Sequence, residues 1–394
     1  MRSLRLLLVL FGASLLGAAC SSSSSAPLSA DAQFQAKVVS GMRSSFVTDL
    51  GNLVSYSQML QAAAPTPADR GWDATLDAAA FTAMKTAWTG CRAAYEHIEG
   101  ATAPIFPDID ATIDSRYDDF LATLSPTGVG PNGPTPGVPG DSYLFDDQGV
   151  TGMHAVERIL YSDVTPARVI AYESTLPGYV ASAFPATPQE ASDFKTKLVQ
   201  KQIKDAKTLQ TGWEGAQTYD LGAAFQGLVS LMNEQQEKVD KASTNQEESR
   251  YSQTTMVDIR NNLVGTERVY ALFQPWIQSK SAATVDGGVA DGGTADGGAA
   301  GDAGGGQDGK AIDAAIEAGF ATLQALYDSV QGDAIPQPPS TWSSVNPTTT
   351  DQATPFGMLY EGVHQAVDPN KPGSVVAEMN AAAVLLGFPQ FVAE

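Results

Sequence analysis

The chain has 394 residues, and its 23 lysines and arginines stand against 44 aspartates and glutamates, a formal net charge of −21 at pH 7. That balance excludes phosphate-backbone binding, which needs clustered Lys and Arg; it disfavours attraction to anionic lipid and suits a cationic partner such as a metal ion. Hydrophobic residues at 43% and charged residues at 17% describe a globular chain with a substantial core, and two cysteines build no disulfide framework.

Arg2 and Arg5 form a basic start, and Leu6 to Leu16 is an apolar run too short to span a bilayer. Gly17-Ala18-Ala19 then precede Cys20 and the serines Ser21 to Ser25, an arrangement that resembles a bacterial lipobox. The resemblance implies a signal peptide over residues 1–19, lipidation of Cys20 and a flexible tether over 20–30. Ser21 directly after the cysteine implies anchoring in the outer membrane, facing the periplasm or the cell surface.

The remaining pattern is helical. Residues 31–64 carry Phe34, Val38, Met42, Phe46 and Leu50 at helical spacing and end before Pro65. A second helix is expected over 76–103, where Phe81, Met84, Trp88, Cys91, Tyr95 and Ile98 form a seam stopped by Pro104 and Pro107. A short helix over 111–124 precedes a Gly- and Pro-rich loop over 125–140. Helical patterns resume over 149–161, 166–183, 188–214, 221–242 and 251–278, then over 310–331, 355–366 and 374–386. The fold class is all-α: an up-and-down helical domain over 31–394, large enough for two packed bundles, about 31–185 and about 186–394. Segment 284–309 differs in kind. Asp286-Gly287-Gly288, Asp291-Gly292-Gly293 and Asp296-Gly297-Gly298 repeat without the spacing of a calcium β-roll or an EF-hand, which reads as a disordered acidic insert between two helices.

Two short motifs carry the candidate chemistry. Glu96-His97-Ile98-Glu99 and His154-Ala155-Val156-Glu157 each place two ligand-type side chains one turn apart on a helix. With Tyr95 as the seam centre, Glu99 projects at about 40°, Glu96 at about 100° and His97 at about 200°, so the glutamates border the core and His97 faces solvent. His154 and Glu157 fall in the row Val150, His154, Glu157, Tyr161, which makes both buried or half-buried, and a buried carboxylate needs a cation or a protonated neighbour. Two such helices can hold a metal in a bundle, or form a His–Glu hydrogen-bond network without one. No His-Glu-x-x-His, phosphate loop or Gly-x-Ser-x-Gly elbow is present. His364 reads as structural, Cys91 as a buried thiol, and Trp88, Trp213 and Trp276 as core.

Gly152-Met153-His154-Ala155-Val156-Glu157-Arg158 resembles the Gly-x-His-x-x-Glu motif of the imelysin family, which includes imelysin-like peptidases and the EfeO-like periplasmic component of a bacterial iron-uptake system. Tyr95-Glu96-His97-Ile98-Glu99, followed by Phe106, Asp110, Ile113, Asp114 and Arg116, is similar to the family's Glu-x-x-Glu helix with its downstream aspartate. Glu248-Ser249-Arg250-Tyr251-Ser252, followed by Asp258-Ile259-Arg260-Asn261-Asn262-Leu263, resembles its later block. The resemblance implies an all-α fold of two helical bundles and a metal site with Glu96, Glu99, Asp114, His154 and Glu157 as candidate ligands, Asp110 being the rival of Asp114. Such ligation suits iron or manganese, with zinc and copper as competitors on affinity. The function implied is capture of iron for uptake by a lipid-anchored protein, with an inner-membrane iron permease as the partner class. The alternatives are a metallopeptidase, against which the missing second metal histidine counts, and a polymer- or protein-binding scaffold with a structural metal.

Overall fold

The computed structural model describes residues 28–116, 129–130, 133–134, 151–176, 179–215, 218–280 and 308–393. The signal peptide, Cys20, the serine tether, most of the 125–140 loop and all but the last two residues of the acidic insert lie outside the described residues. Helices α1 (Ala30–Ala63), α2 (Ala78–Glu96), α3 (Glu99–Thr102) and α4 (Pro107–Asp114) precede a two-residue antiparallel strand pair, β1 (Val129–Gly130) and β2 (Gly133–Pro134). Then come α5 (Met153–Leu160), α6 (Ala167–Glu173) and α7 (Pro188–Asp193), which runs through a π turn at Phe194–Leu198 into α8 (Val199–Gly215). Helices α9 (Leu221–Ser243), α10 (Thr255–Gln278), α11 (Gly309–Ser329), α12 (Thr349–Gln352), α13 (Pro355–Val367) and α14 (Val375–Leu386) complete the chain. The architecture is all-α, as expected, and among the described residues no helix is long and apolar enough to cross a membrane.

Helix α1 starts where the Ser29 side chain accepts from the Ala32 N–H, and it ends at extended Ala64, the conformation Pro65 imposes on its predecessor. Its stripe of Val38, Met42, Phe46, Leu50, Leu53 and Leu60 is buried against α2 and α8. One core joins Phe46, Tyr95, Trp213, Phe225, Leu263, Phe273, Trp276 and Phe320; a second joins Trp72, Phe81, Trp88, Val156 and Phe194. The three tryptophans expected in the core are all buried. The Gly309 N–H donates to the Lys280 carbonyl at 2.9 Å, so the acidic insert leaves and rejoins the domain between two helices, α10 and α11, that share one core.

Three helices depart from the sequence pattern. The short one expected over 111–124 is α4, which starts at Pro107 and ends at Asp114, and residues 117–124 lie outside the described residues. The helix expected over 76–103 breaks: Ile98 leaves the helical region at φ −123°, and its N–H closes a tight turn onto the Tyr95 carbonyl before α3 begins. Helix α10 packs into that break through Gly265, where a Cβ would lie 2.4 Å from the His97 carbonyl oxygen. The helix expected over 166–183 is only α6, which ends at Glu173 in a turn over 174–176; Pro177-Gly178, a helix-breaking pair in the sequence, lies outside the described residues.

Candidate metal centre

The site begins with a glycine. Gly152 caps the start of α5 at φ +87°, and a Cβ there would fall 2.3 Å from the Ile113 carbonyl oxygen. Only glycine combines that backbone conformation with so close an approach to the end of α4, and the approach is what brings His154 to Asp114. The Trp88 indole N–H then ties α5 to α2 by donating to the Met153 carbonyl at 2.9 Å.

Around His154 the fold collects carboxylates from four segments: Glu96 and Glu99 from the α2–α3 break, Asp114 from α4, Glu248 from the loop before α10, and Asp258 from α10. Three sets of ligand atoms each lie within 4.8 Å of one another: Asp114, His154 and Glu248; Glu96, Glu248 and Asp258; Glu96, Glu99 and Asp114. The His154 ring is buried, and its two nitrogens have different surroundings. Nδ1 faces Glu157 Oε2 at 3.0 Å. Nε2 has no hydrogen-bond partner and points between Asp114 Oδ1 at 3.6 Å and Glu248 Oε1 at 3.9 Å. Glu157 is held from behind, its Oε1 accepting from the Tyr251 N–H at 3.1 Å, the Ser252 N–H at 2.8 Å and the Ser252 hydroxyl at 2.7 Å.

Among the sequence candidates, Glu96, Glu99, Asp114 and His154 thus share one cluster, while Glu157 backs the imidazole and belongs to none of the three sets. Asp110, the rival of Asp114, accepts from the Tyr95 hydroxyl outside the sets. His97 turns away from the carboxylates, as its projection required, but it is half-buried rather than solvent-facing, with Nδ1 3.2 Å from Asp49 Oδ1, because α2 ends there and α1 covers it. His364 pairs with Asp240 at 2.9 Å under the Tyr360 ring, and Cys91 is a buried thiol.

Sequence reasoning left out five members of the cluster. Glu248 and Asp258 lie in the later block quoted above, ten positions apart, and periodicity gave them no role. Arg92 stands one turn before Glu96; its buried guanidinium pairs with Glu96, Asp114, Glu248 at 2.6 Å and Asp258 at 3.4 Å. Lys238 of α9, also buried, pairs with Glu248 and with Glu234 at 3.4 Å. Asn262 donates to both Glu96 and Glu99, at 2.8 Å for the latter.

Electrostatics follow from this arrangement. Burial pushes the carboxyls of Glu96, Glu99, Asp114 and Asp258 above their ordinary range, against the pull of Arg92 or Lys238. Glu248 goes the other way: burial opposes its ionisation, but the charges of Lys238 and Arg92 hold it low. Burial, assisted by Arg92, keeps His154 neutral, the form that ligates cations. Burial also raises Glu157 to about 8, offset in part by the Ser252 donors; below that pH its carboxyl donates to Nδ1 and leaves the ring proton on Nε2, and above it the ionised carboxylate draws the ring proton to Nδ1. When that proton sits on Nδ1, the Nε2 lone pair faces Asp114 and Glu248. The donor set of one imidazole nitrogen and several carboxylate oxygens fits a hard or borderline cation.

The family described as Imelysin matches residues 52–338, which span every residue of the cluster. Two Staphylococcus aureus proteins, from strains MSSA476 and USA300, each carry the name Efem/EfeO family lipoprotein. Both are 25% identical to this chain over 204 residues, covering 51% of it and 53% of the relative. The chain therefore spans about half the length of the curated relatives it matches.

Proposed function

Since the chain belongs to the imelysin family, we propose that it is a lipid-anchored envelope protein that binds a metal cation, iron foremost, and delivers it for uptake. The observation that supports this most strongly is the buried, partnerless Nε2 of His154, aimed between the carboxylates of Asp114 and Glu248. An imidazole fixed from behind by a carboxylate is how proteins present a nitrogen to a metal, and here Glu157 supplies the carboxylate. On this reading Asp114, His154 and Glu248 hold the cation, Glu96, Glu99 and Asp258 supply further oxygens, and Glu157 orients His154. Arg92 and Lys238 limit the repulsion among the acids, so that a captured cation shares its carboxylates with fixed protein charges and can be released. Manganese, zinc and copper are competing cations. The name shared by the staphylococcal relatives supports both the lipid anchor at Cys20 and a place in an iron-uptake system, with a membrane permease as the receiving partner.

The test is growth on limiting iron of a strain lacking the gene. Restoration by the wild-type chain, but by neither His154→Ala nor Cys20→Ala, is the expected result. Full restoration by His154→Ala would reject the iron reading, and full restoration by Cys20→Ala would reject the need for the anchor.

A further inference from the structure

Between Phe194 and Trp213 the chain carries Lys195, Lys197, Lys201, Lys204 and Lys207 against a single Asp205. That is five of its twelve lysines in a protein of net charge −21, so the composition of the whole conceals a local reversal of sign. Helix geometry sorts the segment. Leu198, Val199, Ile203, Ala206, Leu209 and Trp213 are buried, whereas Lys197, Gln200, Lys204, Lys207, Thr208 and Thr211 are exposed at spacings of three and four. Lys197 is paired with Asp193 and Lys201 with Asp205, while Lys204 and Lys207 make no ion pair among the described residues. They flank a shallow depression of about 620 Å³ that also includes Thr208 and Thr211, and no described carboxylate lines it.

The position of this face matters as much as its charge. Helix α8 packs along α1, with Trp213 against Phe46 at 4.7 Å and Gln61 donating to the Lys195 carbonyl at 3.1 Å. The lysines therefore run beside the C-terminal half of the helix that the tether leads into. The nine residues from Ser21 to Ser29 reach at most about 30 Å, enough for the domain to lie on its side against the membrane that carries the anchor.

We infer that the α8 lysine face is the surface this domain turns toward anionic phospholipid headgroups. This inference rests on the anchored reading given above. The anchor supplies the local concentration that a chain of net charge −21 would not achieve alone, and the lysines choose which face meets the lipid. The groove of about 1060 Å³ that contains Glu99, Glu234 and Glu237 is a separate surface, sharing no lining residue with the lysine face.

The experiment couples the chain from Cys20 onward to maleimide-lipid vesicles through its Cys20 thiol, Cys91 being buried, so that a cell that does not acylate Cys20 leaves the result untouched. Lysine acetylation is then read by mass spectrometry on phosphatidylglycerol and on phosphatidylcholine vesicles. Lys204 and Lys207 should react at least about threefold more slowly on the anionic vesicles at low salt, and high salt should abolish the difference. Exposed Lys310 and Lys371 should react equally on both. Replacing Lys204 and Lys207 by Gln, exposed changes that leave the core intact, should let Lys197 react equally on both vesicles. Equal reaction of Lys204 and Lys207 on both vesicle types would overturn the inference. So would protection already present in solution and relieved by Asp286→Asn, Asp291→Asn and Asp296→Asn, because the chain's own acidic insert would then cover the face.

Discussion

Replacing Glu157 by Gln changes one atom, and its consequence follows from the hydrogen bonds around it. Oε1 accepts from three donors, the Tyr251 and Ser252 N–H groups and the Ser252 hydroxyl. A carboxamide can satisfy them only with its oxygen in that place, and at about 1 kcal/mol per hydrogen bond that orientation is favoured by about 3 kcal/mol. Its NH2 group then stands where Oε2 stood, 3.0 Å from Nδ1, and donates to it. Nδ1 becomes the acceptor, the ring proton moves to Nε2, and the lone pair facing Asp114 and Glu248 is lost. Loss of such a backing carboxylate lowers metal affinity by about 10- to 100-fold, or about 1.4 to 2.7 kcal/mol. Nitrogen-15 NMR reads the tautomer directly, since the chain holds only His97, His154 and His364, and calorimetric titration reads the affinity. Above about pH 8, where Glu157 is ionised, Glu157→Gln should switch His154 from the Nδ1–H form of the parent to the Nε2–H form while retaining the melting temperature. An unchanged tautomer with lowered affinity would refute the reasoning and make Glu157 a direct ligand.

Four further outcomes are expected. Gly152→Ala forces a Cβ to 2.3 Å from the Ile113 carbonyl oxygen at a left-handed φ. It should cost about 1 to 3 kcal/mol of stability by denaturant unfolding and weaken metal binding by displacing His154. Arg92→Gln strips four buried carboxylates of their shared partner. It should destabilise the metal-free domain by about 3 to 5 kcal/mol, and the metal-induced rise in melting temperature should exceed that of the parent. Burial holds the carboxyls of Glu96, Glu99 and Asp114 high and raises Glu157 to about 8, so protons compete with the cation. Calorimetric affinity should therefore rise from about pH 6 to about pH 8, with protons released on binding; a constant affinity would contradict those assignments. Burial pushes the Cys91 thiol up to about 12, so at pH 8 it should resist a thiol reagent until the domain unfolds.

The helices and the face that each buries were legible in the sequence, because stripes such as Val38, Met42, Phe46, Leu50 and Phe81, Met84, Trp88, Cys91 follow directly from apolar periodicity. The break at His97 and Ile98 was not, since no proline or helix-capping pattern marks it. It arises from the packing of α10 at Gly265, far away in the chain. The same limit applies to the site. The i, i+3 motifs pointed to His154 and the two glutamates of the α2–α3 break, whereas Arg92, Lys238, Glu248 and Asp258 meet them only through tertiary packing. Helical spacing also could not distinguish a ligand from the residue that orients it. That distinction between His154 and Glu157 depends on the loop donors Tyr251 and Ser252, some 95 positions downstream in the chain.

The most direct measurement of the central claim is the metal content of the domain from Ser21 onward. The parent, His154→Ala and Glu248→Gln proteins would be exposed to equimolar iron, manganese, zinc and copper, desalted and submitted to elemental analysis. The expected result is close to one equivalent of metal, predominantly iron, in the parent and loss of most of it in both variants while their helical circular dichroism is retained. A folded parent that keeps no metal, or variants that keep as much as the parent, would contradict the claim and leave the cluster as a buried polar network.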